Sequence, residues 1–417
     1  MTEPDRDPPP GEVPPRDTID RAALADLVRP GARVAVADGT GTPRAAFAAL
    51  SALARSRPLS LLLGWMPGPV EDLDHAAFTD VRTLMPGWGL RPGTEAGLVR
   101  AVPCRLSAAP ALVAGPLRPD VLVVGVVEGP FGLCLGSEVS WVRAVIDAGT
   151  PIAAVVDDAL PRAAAGAPLP DAQTFVVGRV HQGPHAIPTT APSTAHRAVG
   201  GHVAGLLTEG CRLQWAPGQL GAAVVGAVEV PVRADSGLLG DGVVDLDAAG
   251  LLVGDPVATY LVGTRRLYDW ADERGRRGRP VVHRVEHTHD PVRLLSDPPL
   301  IAVNTAVEID LDGQVNVEGT ASALVGGVGG HPDYAAGAAR SRRGLSVIAL
   351  ASTHRGRPTL VERLSRPVTT ASHDVDVVVT EHGVADLRGL DRGERRRAIR
   401  ALWAEAPEDP AGGPAPV

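Results

Sequence analysis

The sequence contains no lysine: its 40 basic residues are all arginine, set against 48 acidic ones. That absence excludes a Schiff-base lysine and the pyridoxal chemistry built on one. It also excludes a P-loop, which needs a lysine on the phosphates. Guanidinium groups remain, always charged and able to grip phosphates and carboxylates through a planar fork; GC-rich coding would give the same bias. Cysteine is scarce. Cys104, Cys134 and Cys211 are odd in number and widely spaced, so a disulfide framework and a Cys-x-x-Cys metal site are excluded, as expected of a reducing cytoplasm. Aromatic residues make up only 3%, so the core must be filled by Val, Leu and Ala. No run is long and apolar enough to span a bilayer, and Met1 to Arg16 lacks the apolar stretch of a signal peptide. The formal net charge is -8, with no clustered basic face of the kind a nucleic acid requires.

With 417 residues, two domains of roughly 150–200 residues each are expected. Apolar residues at 44% and charged residues at 21% describe a globular chain. Pro- and Gly-rich stretches predict tails at 1–16 and 407–417. Between them strand-like and helix-like segments alternate, which predicts an α/β fold: two related open domains, 17–190 and 191–406, with mainly parallel sheets and a ligand cleft between them. Arg33–Val36, Val121–Val127 and Ile152–Val156 read as strands of the first domain. Thr42 is placed to cap a helix beginning at Pro43, and a helix is expected over 139–148. The Pro- and Ala-rich stretch 161–192 reads as the linker. In the second domain, strands are expected at 211–215, 258–262, 301–304, 346–350 and 375–379. Asp312-Gly313 marks a hairpin, and 395–403 a closing amphipathic helix.

Several groups of residues have chemistry-bearing patterns. Gly39-Thr40-Gly41-Thr42-Pro43 lacks the third glycine of the dinucleotide fingerprint. Glu381-His382-Gly383 places a carboxylate and an imidazole at a strand end, a catalytic pattern, although a buried structural turn explains it better. His283, His287 and His289 would share one face of a strand and could then hold zinc, although their spacing is unusual; no metal is expected. Gly326 to Gly330 could offer backbone N–H groups to an anion, or simply turn the chain into a helix before Pro332.

The order of longer motifs carries more. Arg118-Pro119-Asp120-Val121-Leu122, Leu239-Gly240-Asp241-Gly242-Val243-Val244-Asp245-Leu246, Gly263-Thr264-Arg265-Arg266-Leu267-Tyr268-Asp269, Val303-Asn304-Thr305-Ala306-Val307-Glu308-Ile309-Asp310, Gly326–Gly330 with Asp333-Tyr334, and Val379-Thr380-Glu381-His382-Gly383-Val384-Ala385-Asp386-Leu387 follow one another. In this order the chain resembles the acetyl-CoA hydrolase/CoA-transferase family over roughly 20–405, more specifically in its second half. The resemblance implies acyl-CoA and a small carboxylate as substrates, coenzyme A as a substrate with no further cofactor, and a cytoplasmic oligomer of the chain with itself or with a paralogue. It also implies covalent chemistry. A glutamate attacks the thioester to form an acyl-glutamyl anhydride, which CoA thiolate converts to a glutamyl-CoA thioester. Glycine-loop amides hold the oxyanion.

Counting back from Gly240–Asp245, the position of the family's glutamate falls on Gly237, which has no side chain to act as nucleophile. Asp235 is the nearest carboxylate for a substitute. The loop that reads Gly-Ile-Gly-x-Ile in the family reads Ala216-Pro217-Gly218-Gln219-Leu220 here, with one amide donor removed by Pro217. A lysine usual near Leu345 is also absent. The CoA-binding residues implied by the resemblance are Ala216, Pro217, Gly218, Gln219, Leu220, Asn304, Glu308, Gly327, Gly329 and Gly330. Two functional expectations follow: a diverged transferase or thioester hydrolase, or a protein that binds CoA thioesters without turnover.

Overall fold

The computed structural model describes residues 18–403; the tails expected at 1–16 and 407–417 lie outside the described residues. Two mainly parallel sheets are formed. In the first, Arg33–Val36 lies between Ser60–Leu63 and Val121–Gly129. From Ser60–Leu63 the sheet continues to Asp80–Thr83 and Arg100–Ala101; from Val121–Gly129 it continues to Ile152–Asp157, Thr174–Val180 and the antiparallel edge Thr18–Ile19. The expected linker therefore contains a strand: Thr174–Val180 pairs with Ile152–Asp157. Its Phe175 and Val176 face outward, while Val177 and Val180 are buried, and the surrounding prolines hid that short apolar run.

The second sheet runs Arg233–Ala234, Arg212–Trp215, Leu300–Asn304, Leu345–Ala349, Val377–Thr380 and the antiparallel Gly383–Asp386. Alternate residues of its central strand face opposite sides, as period-2 geometry requires: Ile301 and Val303 join one core cluster, Leu300 and Ala302 another. The first of these clusters also takes in Ala35, Leu122 and Trp141 from the first sheet's side, so apolar packing is continuous between the two halves. Glu308–Asp310 and Val315–Asn316 form the antiparallel pair expected around Asp312-Gly313.

Two local expectations are corrected. Thr42 caps no helix; its hydroxyl donates to Gly39 O at 2.7 Å, and the α-helix starts at Phe47 after a 3-10 turn. The helix expected from residue 139 begins at Val142, because Ser137 O and Val139 N are taken by Leu261 N and Thr259 O.

In each sheet the strand order reverses once. The first sheet grows both ways from the junction of Arg33–Val36 with Val121–Gly129, the second from the junction of Arg212–Trp215 with Leu300–Asn304. Open α/β sheets bind ligands outside the carboxyl ends of the strands at such reversals. In the second sheet those ends carry Ala216 to Leu220 and Asn304.

Candidate functional site

Ser236 and Gly237 run past the end of Arg212–Trp215, with Ser236 Oγ donating to Trp215 O at 3.2 Å. The Gly237 carbonyl accepts from Thr259 N and Tyr260 N, which fixes its peptide. Its Cα faces the imidazole of His289: a methyl group added there would lie 3.2 Å from both Cε1 and Nε2 of that ring and 3.6 Å from Tyr334. A methyl on Gly330 would overlap His289 Nε2 outright. The ring thus stands between two bare Cα faces, and the structure brings Gly237 and Gly330 together around it.

His289 is 2% exposed. Its Nδ1 is 2.7 Å from the Thr288 hydroxyl, and its Nε2 has no hydrogen-bond partner. Burial, with the nearby Arg293 guanidinium, pushes its pKa down to about 3, so the ring is neutral at ordinary pH. Tyr334 packs edge-on against it, ring centres 5.0 Å apart. On the neighbouring side a cavity of about 160 Å³ is lined by Arg105, Ser107, His289, Asp333 and Arg340 among others. Asp333, in the first turn of the helix His331–Arg340, accepts from Ser107 Oγ at 2.7 Å and Ser107 N at 3.1 Å. Burial raises its pKa against the pull of those bonds.

The glycine loop joins the halves. Gly329 has φ +58°, and a methyl there would come within 2.8 Å of Met85 Cε; on Gly327 it would come within 2.8 Å of Pro86. Leu106 N donates to Gly329 O. These glycines let the loop lie directly on the residues that follow Asp80–Thr83.

Asp235 has other work than a nucleophile's. Arg293 grips both its oxygens at 2.7 Å, and Arg212 adds a contact at 3.2 Å. At 2% exposure this carboxylate is an internal counter-ion, so the substitute role expected of it is corrected. Glu308 is also committed: it accepts from Ser365 N and Oγ and from Asn316 Nδ2. Asn304 is buried at the sheet's reversal point, with its Nδ2 unpartnered. Gly218, with φ +88°, opens the helix Gln219–Gly226. Pro217 and Gly218 are exposed and Gln219 half-buried, while Ala216 and Leu220 are buried. His283, His287 and His289 do not share a strand. Val285–Thr288 is a short helix, and among the described residues no group of His, Cys, Asp and Glu could hold a metal. Glu381 accepts from Ser352 N and Oγ, which ties down the turn into Gly383–Asp386.

Sequence reasoning missed a buried acidic pair at the first sheet's reversal point. Asp38 Oδ2 accepts from Tyr260 OH at 2.7 Å, Trp141 Nε1 at 3.0 Å and Trp65 N at 3.1 Å. Glu138 accepts from Ser137 Oγ and Gly41 N, and a methyl on Gly39 or Gly41 would strike it. Burial pushes the Glu138 pKa up to about 7, and the Asp38 charge adds to the rise. The signal lay in Gly39-Thr40-Gly41, whose glycines make room for a carboxylate of the chain itself. Tyr260 ties this cluster to Gly237 through the pairing of Leu238 with Tyr260.

Comparison with known proteins bears on what this junction serves. Residues 263–406 match the acetyl-CoA hydrolase/transferase C-terminal domain. The chain is 28% identical over 340 residues to a 4-hydroxybutyrate coenzyme A transferase of Clostridium kluyveri, covering 76% of this chain and 77% of that one. It is 28% identical over 398 residues to a succinyl-CoA:acetate/propanoyl-CoA:succinate CoA transferase of Fasciola hepatica, covering 89% and 82%. The crystal structure of RipA from Yersinia pestis has the same fold, with TM-score 0.81 and 22% identity over 92% of this chain and 93% of that one. Residues 263–406 are thus similar to the acetyl-CoA hydrolase/transferase C-terminal domain, and the longer chain is similar to coenzyme A transferases.

Proposed function

We propose that this chain acts on a small acyl-CoA thioester by direct attack of water, without a glutamyl-CoA intermediate. The observation that carries this is the bare Cα of Gly237 set against the His289 ring. With Asp235 and Glu308 both engaged by neighbouring groups, neither is offered as a nucleophile. The relatives' transferase chemistry supports the thioester as substrate. Coenzyme A enters as part of that substrate, and no other cofactor is invoked. The Ala216 to Leu220 turn and Asn304, at the second sheet's reversal point, would hold the CoA moiety, with Gly326 to Gly330 beside the thioester. A protein that holds acyl-CoA without turnover is the second reading, favoured by Pro217, which removes one amide donor from the turn.

The test is turnover of acetyl-CoA with and without a carboxylate acceptor such as succinate. Free CoA released at the same rate in both conditions is expected. Exchange of the acyl group that depends on the acceptor would overturn the proposal, and binding without release of CoA would favour the second reading.

A further inference from the structure

His289 presents an unusual combination. Its ring is fully enclosed, one nitrogen is fixed by a threonine hydroxyl, and the other has no partner. Burying a polar atom without a hydrogen bond is costly, and such an atom calls for an explanation. The two residues whose missing side chains make room for the ring are Gly237 and Gly330. One stands where the resemblance puts the nucleophile, the other at the end of the loop offered to the thioester. We propose that His289 is a catalytic residue of the thioester hydrolysis: its imidazole stands beside the place of the missing side chain and presents Nε2–H to the thioester carbonyl oxygen.

Several features bear on this role. Thr288 Oγ1 lies 2.7 Å from Nδ1 and 3.5 Å from Arg284 O; with the hydroxyl proton turned to Nδ1, the ring's own proton sits on Nε2, the tautomer this role requires. Burial and Arg293 keep the ring uncharged, and a neutral imidazole can polarise a carbonyl. Tyr334 holds the ring plane from one side. A methyl on Gly237 would stand 3.2 Å from Nε2, so an oxygen brought to that place meets the ring at contact distance. In the reaction, water oxygen bonds to the thioester carbon and the carbonyl oxygen takes up negative charge opposite Nε2–H. The carbon–sulfur bond then breaks. CoA leaves as a thiolate that is protonated from solvent, and the acid is released as its carboxylate with one net proton.

The inference rests on the proposed hydrolysis, and its test separates the two. Acetyl-CoA hydrolysis is measured for wild type, His289→Ala and His289→Gln, alongside acetyl-CoA binding by calorimetry. The alanine variant should bind but lose about 100-fold in rate, the usual effect of removing one oxyanion donor. Glutamine, whose amide nitrogen reaches the place of Nε2, should recover much of that rate. The wild-type rate should show no ionisation of this ring between pH 5 and 8. Should the alanine variant fail to fold, His289→Leu replaces it in the comparison with His289→Gln at matched melting temperatures. Adduct-free hydrolysis left unchanged by these substitutions would overturn this inference alone. A wild type that transfers through a covalent adduct, or releases no CoA at all, would overturn the proposed function and this inference with it.

Discussion

Two buried carboxylates illustrate opposite fates for a charge in this protein. Asp235 is neutralised by Arg293 and Arg212. Removing one partner of a buried ion pair commonly costs about 3–5 kcal/mol, because the other charge is stranded. Asp235→Ala should therefore lower the melting temperature sharply, with any loss of activity tracking loss of folded protein. An active, stable Asp235→Ala would show that the guanidinium groups find other partners. For Glu138 burial outweighs the pull of Arg44, and its pKa is raised from 4.5 to about 7. A carboxyl group that holds its proton more tightly when folded stabilises the fold most at low pH. That contribution is lost as the pH rises from about 4.5 to 7, by up to about 3 kcal/mol. Glu138→Gln should flatten the fall in stability across this window, measured by denaturation at several pH values. A slope unchanged by the substitution would assign the pH dependence to other groups. Gly237→Glu poses a different problem, since its Cβ would press on His289 at 3.2 Å. The single variant should form no CoA adduct, whereas the same change combined with His289→Ala gives the new carboxylate room. Mass spectrometry of both after acyl-CoA treatment distinguishes them.

Among the elements, the glycine loop is the one whose geometry permits least change. Gly329→Val would place a β-branched residue at φ +58° and drive it into Met85, a conformation that costs roughly 1–3 kcal/mol before any clash is counted. Weaker CoA binding and a lower melting temperature are expected together. A variant that binds CoA normally would show that the loop's closeness to Met85 is dispensable. The central strands were legible in the sequence because Val121–Val127, Ile301–Asn304 and Ser346–Leu350 are apolar runs of strand length with turn residues around them. Thr174–Val180 was hidden by the prolines on either side of it and by its half-exposed pattern. The histidines were noticed for the wrong reason. Strand parity put three of them on one face, but Arg284 to Asp290 folds as a short helical turn, and only the tertiary approach of Gly237 and Gly330 singles out His289. Asp38 and Glu138 were invisible for a similar reason: they lie exactly 100 residues apart in the chain, and only the reversal of strand order in the first sheet brings them to one place.

For the whole molecule, the two sheets meet through backbone as much as through side chains. Leu106 N to Gly329 O, Ile187 N to Gly263 O and the Thr40 hydroxyl to Leu261 O bond one half to the other, and Asp38 adds Tyr260 OH. Gly237 therefore sits in a junction built from both sheets, which is where a thioester must be held if the second half supplies the glycine loop and the first half its backing. The central claim is that no covalent bond forms between this junction and the substrate. Intact-protein mass spectrometry after rapid mixing with acetyl-CoA, followed by borohydride reduction and peptide mapping, tests it most directly. The account predicts unmodified protein while free CoA accumulates. A CoA or reduced-ester adduct on the peptide that contains residues 234–239 would contradict it.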